Sequence, residues 1–140
     1  MTHHSAEHRS QEMNECIDNC TRCHAICLET MNYCLAKGGR HAEAGHIALL
    51  SSCAEICATS ADAMLLGTSV HAFTCAACAP ICQQCAESCE RMGDQEMDRC
   101  AKMCRQCAQS CEKMAAEALP FVGRERGAPL ESATGHRPMV

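Results

Sequence analysis

Apolar and soft positions recur along this chain in alternating steps of three and four. Cysteines stand at 75, 78, 82, 85 and 89, at 100, 104, 107 and 111, and at 16, 20, 23 and 27 with one step skipped before 34. A strand would send 75 and 78 to opposite faces, whereas a helix stacks all of these on one stripe. They are the a/d seam positions of a bundle helix. A fourth stretch carries only Cys53 and Cys57, but its phase continues through His46, Leu50, Ser60 and Met64. Breakers at Gly38-Gly39, from Gly67 to Ser69 and at Gly93-Asp94 cut the chain into predicted helices of about 10–37, 42–66, 70–92 and 95–118. Ala, Glu, Gln, Met and Lys, all good helix formers, fill the positions between. At about 1.5 Å per residue the rods are ~35–40 Å long. Short connections between rods of matched length predict an all-α, antiparallel up-down-up-down four-helix bundle over 10–118. Residues 1–9 and 119–140 read as flexible flanks, the latter because Pro120, Gly123, Gly127, Pro129, Gly135 and Pro138 break any periodicity. One local conflict stands in the third helix: Pro80 removes a hydrogen bond and predicts a kink.

Composition changes what fills that bundle. Leu, Ile, Val and Phe together number 18 of 140 residues, there is no Trp, and Tyr occurs once, against 16 Cys and 9 Met. So few large apolar residues fall below the ~20% at which chains usually build a core. The interior is therefore sulfur or nothing. A net charge of −5 without a Lys/Arg cluster argues against a nucleic-acid partner. No uninterrupted apolar run approaches the ~18 residues of a membrane span. The opening MTHHSAEHRSQEMNE is polar, with no basic start, apolar run or twin arginine, so the expected location is cytoplasmic. There thiols stay reduced and more often bind metal or do redox work than form disulfides.

Fourteen of the cysteines form seven C-x-x-x-C pairs, 16/20, 23/27, 53/57, 78/82, 85/89, 100/104 and 107/111. Residues four apart on a helix are stacked neighbours, so two sulfurs can clamp a small ion between turns. Soft thiolates favour Cu(I), Zn(II) and iron–sulfur clusters. Zn(II) wants a closed tetrahedron, which a pair on one helix does not supply. Cu(I) accepts two or three sulfurs. Sixteen buried thiolates also need compensation, and sixteen monovalent ions neutralise them one for one. Unshared pairs give a capacity of about eight Cu(I), and doubly bridging sulfurs about sixteen. Empty, the thiols are neutral and pack as small hydrophobes, so the bundle folds first and fills later. Other readings of the same residues are plain packing, disulfides, a zinc buffer with ligands from several helices, and a thiol redox or iron–sulfur protein. The last uses the C-x-x-C spacings 20/23, 75/78, 82/85 and 104/107, although such motifs wrap a cluster with loop backbone.

The seam register carries soft ligands past the cysteines. Met13, Met64, His71 and Met114 fall at one end, and His46, Met92 and Met97 at the other, with His41 and Met31 nearby. Thioether and imidazole bind copper without a charge to neutralise, which suits admission and hand-over. Met is also an ordinary flexible core filler. His24 lies one step off the seam and reads as a flanking residue.

The segments CIDNCTRCHAIC, CAEIC, CAACAPICQQCAESC and CAKMCRQCAQSC, within about 10–118, resemble the bacterial four-helix-bundle copper storage proteins (Csp). The resemblance implies a non-enzymatic protein, often a homotetramer, that binds many Cu(I) ions through Cys16, Cys20, Cys23, Cys27, Cys34, Cys53, Cys57, Cys75, Cys78, Cys82, Cys85, Cys89, Cys100, Cys104, Cys107 and Cys111. Members without an export signal are cytosolic and store or sequester copper. Met13, with His8 before it, is similar to the His/Met mouth of exported members and implies an entrance at the Met13/His71 end. Cytosolic relatives can carry several His at the start of helix 4, where this chain has Gly93-Asp94-Gln95-Glu96-Met97.

Overall fold

The computed structural model describes residues 9–127, with side-chain surroundings through residue 116. The segments 1–8 and 128–140, including most of both predicted flanks, lie outside the described residues. Four helices follow one another: α1 (Gln11–Lys37), α2 (Ala44–Leu65), α3 (His71–Glu90) and α4 (Gln95–Gly127), with a 3-10 turn at Gly39–Ala42 between the first two. Each packs on two neighbours: α1 on α2 and α4, and α3 on α2 and α4. This closes a four-sided tube. There is no strand among the described residues.

Local chemistry explains where the rods begin and end. The Ser10 hydroxyl accepts from the Met13 amide at 3.1 Å and caps α1, meeting one of the four amides a helix start leaves unpaired. At the far end Gly38, at φ 77°, turns the chain out and returns its amide to the Cys34 carbonyl at 3.0 Å. Asp94 caps α4, one carboxylate oxygen accepting from the Met97 amide at 3.0 Å.

Two sequence expectations are adjusted. Pro80 leaves α3 unbroken. It lies on the exposed face, and the carbonyl it deprives of a partner belongs to Ala76, also exposed, a position open to hydration. The fourth helix continues to Gly127 instead of ending near 118, passing Pro120. Extending an existing helix adds a bond for each residue fixed, and Ala115, Ala116, Glu117, Ala118 and Leu119 are good formers leading up to the proline.

The core is one continuous cluster of Cys, Met and Ala, with the single leucine Leu50, running the length of the tube. Ile17, Ile26, Tyr33, Ile47, Leu49, Ile56 and Ile81 flank it, partly buried. By length and composition alone α2 is apolar enough to cross a membrane, although it has no uninterrupted apolar run of that length. In the fold it is a wall, packed on α1 and α3 and burying Leu50, Cys53, Cys57, Ser60 and Met64 completely.

Candidate metal centre

The three-and-four spacing turns every cysteine inward. All sixteen are fully enclosed, and all are free thiols. Their sulfurs meet along the axis: Cys16 and Cys20 lie 3.7 and 3.6 Å from Cys111, and Cys20 lies 3.7 Å from Cys107. Cys57 stands 3.7 Å from both Cys78 and Cys107 and 3.6 Å from Cys82. Further along, Cys53 approaches Cys82 at 3.4 Å, while Cys23 lies 3.8 Å from both Cys53 and Cys104. Most of these approaches cross between helices. Of the C-x-x-x-C pairs, 78/82 and 23/27 touch within one helix, at 3.6 and 4.0 Å. The expected clamp between turns of a single helix is thus secondary to one formed across the tube. Antiparallel neighbours bring sulfurs to the axis at one height, whereas successive turns set them about 5.4 Å apart along it.

Sets of three or four thiols lie with all their sulfurs within 4.8 Å, and the sets overlap. Cys16, Cys75 and Cys111 share Cys111 with the set of Cys20, Cys78, Cys107 and Cys111. That set shares Cys78 and Cys107 with Cys57 and Cys82. These two join Cys23 and Cys53, which continue to Cys27 and Cys104. Cys85, Cys89 and Cys100, all fully buried, extend the column by register beyond these sets. There the α2 stripe presents Leu50 in place of a thiol. A soft ion about 2.3 Å from three sulfurs spaces them ~4 Å apart, and from four ~3.8 Å. Distance alone therefore admits either coordination. The overlap of the sets means shared thiolates, and sharing lowers the charge left uncompensated around each ion.

Hydrogen bonding between thiols divides their acidities. Contact with Cys107 first, then with Cys20, and burial push Cys57 up; contact with Cys100 does the same for Cys104. Cys23 and Cys78 are pulled down, first by contact with Cys104 and Cys107 respectively, against the effect of burial.

The two ends differ. At the end where α1 starts, Met13, Met64 and Met114 are buried, as the register predicts, but His71 is not. It stands half-exposed, with Nδ1 2.9 Å from the Thr68 carbonyl oxygen. As the first residue of α3, beside the turn, its ring finds a backbone partner there before it reaches the axis. At the opposite end, His46 is buried with Nε2 3.4 Å from the Cys34 sulfur, which in turn lies 3.8 Å from the Met97 thioether. Three helices thus contribute one thiol, one imidazole and one thioether. Burial first, then nearby charge at Cys100 and Asp94, pushes the Cys34 thiol up to about 11. A protonated Cys34 donates to Nε2, which leaves the Nδ1 proton for the Ser88 hydroxyl 2.7 Å away. Burial, then the charge of His41, holds His46 below the ordinary histidine range, as a ligand nitrogen requires. Met92 packs against the core only in part. A surface cavity of about 310 Å³, lined by Arg40, Glu43, Leu49, Arg91 and Met92, reaches His46 and Ser88. His41 turns outward to Asp94 at 2.8 Å, and Tyr33 donates to the same carboxylate at 3.2 Å. His24 flanks the tube with Nδ1 2.8 Å from the Ala54 carbonyl oxygen.

Ser88 and Asp94 carry parts of this end that sequence reading passes over. Ser88 neighbours the seam without belonging to its phase, and Asp94 stood out only as a chain breaker beside Gly93.

The chain matches the sequence model of a family described as Csp, copper storage protein, over residues 9–116. In structure it is similar to the Nmul_A1745 protein from Nitrosospira multiformis, with 48% identity, covering 76% of this chain and 96% of that one, at a TM-score of 0.72. Similarity to the Cu(I)-bound copper storage protein BsCsp3 stands at 34% identity, 75% and 99% coverage and a TM-score of 0.71. The copper storage protein Ccsp from Streptomyces lividans, loaded with 10 copper equivalents, is 27% identical with 76% and 85% coverage and a TM-score of 0.66. An uncharacterized cysteine-rich protein of Bacillus subtilis, YhjQ, is 35% identical over 79 residues, 56% of this chain and 73% of that protein.

Proposed function

The chain belongs to the copper storage protein family, and from that premise we propose that it takes up and holds many Cu(I) ions on the thiolates of its core. One observation carries the reading: the thiol sets overlap from Cys16 to Cys104 without a gap, so the shared sulfurs of Cys23, Cys53, Cys57, Cys78, Cys82, Cys107 and Cys111 can each bridge two ions. All sixteen cysteines serve as ligands. Cys34, His46 and Met97 close one end of the column, and the Met13, Met64 and Met114 thioethers close the other, with His71 and Met92 as rim ligands. Burial of every thiol supports storage in place of catalysis, since a sulfur sealed from substrate can trade only ions and protons. A cytoplasmic location is supported by a relative, the Streptomyces lividans protein described as a cytosolic copper storage protein. Association into a homotetramer is supported by large apolar side chains left outside, among them Leu28, Leu35, Leu66 and Phe73.

Anaerobic titration of the reduced protein, with a competing chelator, tests this. Uptake beyond about eight Cu(I) per chain, with helicity unchanged, is the expected result. The zinc-buffer alternative draws on two separate thiol sets, Cys20/Cys78/Cys107/Cys111 and Cys23/Cys27/Cys53/Cys104. It would show as about two or three tightly held Zn(II) and weak copper retention.

A further inference from the structure

Four polar side chains are buried in the described region, Thr30, His46, Ser60 and Ser88. Ser60 alone among the described residues is left with a buried polar side-chain atom lacking any hydrogen-bond partner. A serine inside a helix ordinarily returns its hydroxyl to the carbonyl four residues earlier. Here it does not, although the side chain is wholly enclosed. Its position is fixed by register. One turn back on α2, Cys57 touches Cys78 of α3 and Cys107 of α4. Moving one turn toward the Met13 end replaces those residues by Ser60, Cys75 and Cys111, and on α1 brings in Cys16. By register, then, Ser60 falls on α2 at the level where the Cys16, Cys75 and Cys111 sulfurs of the other three helices lie within 4.8 Å of one another.

That level is the last of the thiolate column. Thiolates in the middle have ions on both sides to neutralise them; those of the last level have ions on one side only, and beyond lie the uncharged thioethers of Met13, Met64 and Met114. Excess negative charge collects there once copper is bound. An unpaired hydroxyl in a dry site is costly beside neutral thiols and favourable beside a thiolate, where its hydrogen bond is charge-assisted.

We infer that Cys16, Cys75 and Cys111 hold a terminal Cu(I) with the Ser60 hydroxyl donating to one of their thiolates, so that Ser60 is unsatisfied in the empty protein and satisfied only in the filled one. In forming the site, copper bonds to sulfur displace protons from sulfur, and the protons leave to solvent; Ser60 keeps its own proton and is a positioning residue. The inference rests on the copper-storage reading above.

The test compares Ser60→Ala with the unaltered protein, empty and copper-loaded, by thermal unfolding and by chelator competition. The expected result is a crossover: the variant unfolds at the same or a higher temperature when empty, yet gains less from copper. Its most weakly held ion, about one per chain, escapes to chelator at roughly tenfold to hundredfold lower competitor. Ser60→Thr retains that ion and Ser60→Val loses it, which separates the hydroxyl from the volume of the side chain. Ser60→Cys, restoring a thiol to the level, raises capacity by about one ion. An alanine variant that holds copper like the parent, or that is destabilised equally in both states, overturns the inference. If the unaltered protein takes up no copper, it is the storage reading that fails.

Discussion

At the scale of the residue, Cys34 and His46 show how position sets chemistry. Each occupies a seam position, yet neither behaves as a free side chain would. Cys34 is pushed up to about 11 by burial and by the charges of Cys100 and Asp94. A thiol whose pKa is raised on folding adds stability while it keeps its proton. That contribution is complete below the ordinary thiol value of 9.0 and is lost as pH rises through about 11. Chemical denaturation of the empty, reduced protein should therefore show stability declining between these values, and Cys34→Ala should flatten part of the decline. His46 was legible in the sequence as a seam residue. What orients it was not, because Ser88 is off-phase, and only the packing of α3 against α2 brings its hydroxyl to Nδ1.

Among the elements, α2 is the odd wall. Three helices supply fourteen of the cysteines, and α2 supplies Cys53 and Cys57, with His46, Leu50, Ser60 and Met64 on the rest of its stripe. Leu50 is fully buried where the stripe passes the Cys85–Cys100 part of the column. Leu50→Cys should raise Cu(I) capacity by about one ion and reduce the stability of the empty protein by about 2–4 kcal/mol, since much of a buried leucine's volume is lost. Titration and urea unfolding on the same sample check both halves. The four rods and their inward stripes were readable because cysteine marks the 3.5-residue repeat as clearly as leucine would. The continuation of α4 to Gly127 was not, because Gly and Pro signal a break in proportion to what surrounds them, and here good helix formers precede Pro120. Pro80 misleads for a related reason: its effect depends on whether the freed carbonyl faces solvent, and spacing does not encode exposure of the residue four earlier.

For the whole molecule, burial favours the neutral thiol even where contact between thiols pulls single groups such as Cys23 and Cys78 down, so the empty form is a folded protein that carries thiol protons for copper to displace. Filling it exchanges ions for protons, and pH-stat measurement during anaerobic loading at neutral pH should count about one proton released for each Cu(I) bound. A count near zero would mean thiolates already ionised in the empty tube, contrary to the burial of all sixteen. The thiol column was foreseeable from sequence; its dissimilar ends were only half so, since the same register placed His71 and His46 alike inside and the turn at Thr68 draws one of them away. Tyr33, the sole tyrosine in a chain without tryptophan, stands at the His46 end, donating to Asp94 with its ring centroid 6.0 Å from that of His41. The molecule thus carries its one tyrosine fluorophore at a single end of the tube, so tyrosine emission reports on that end alone.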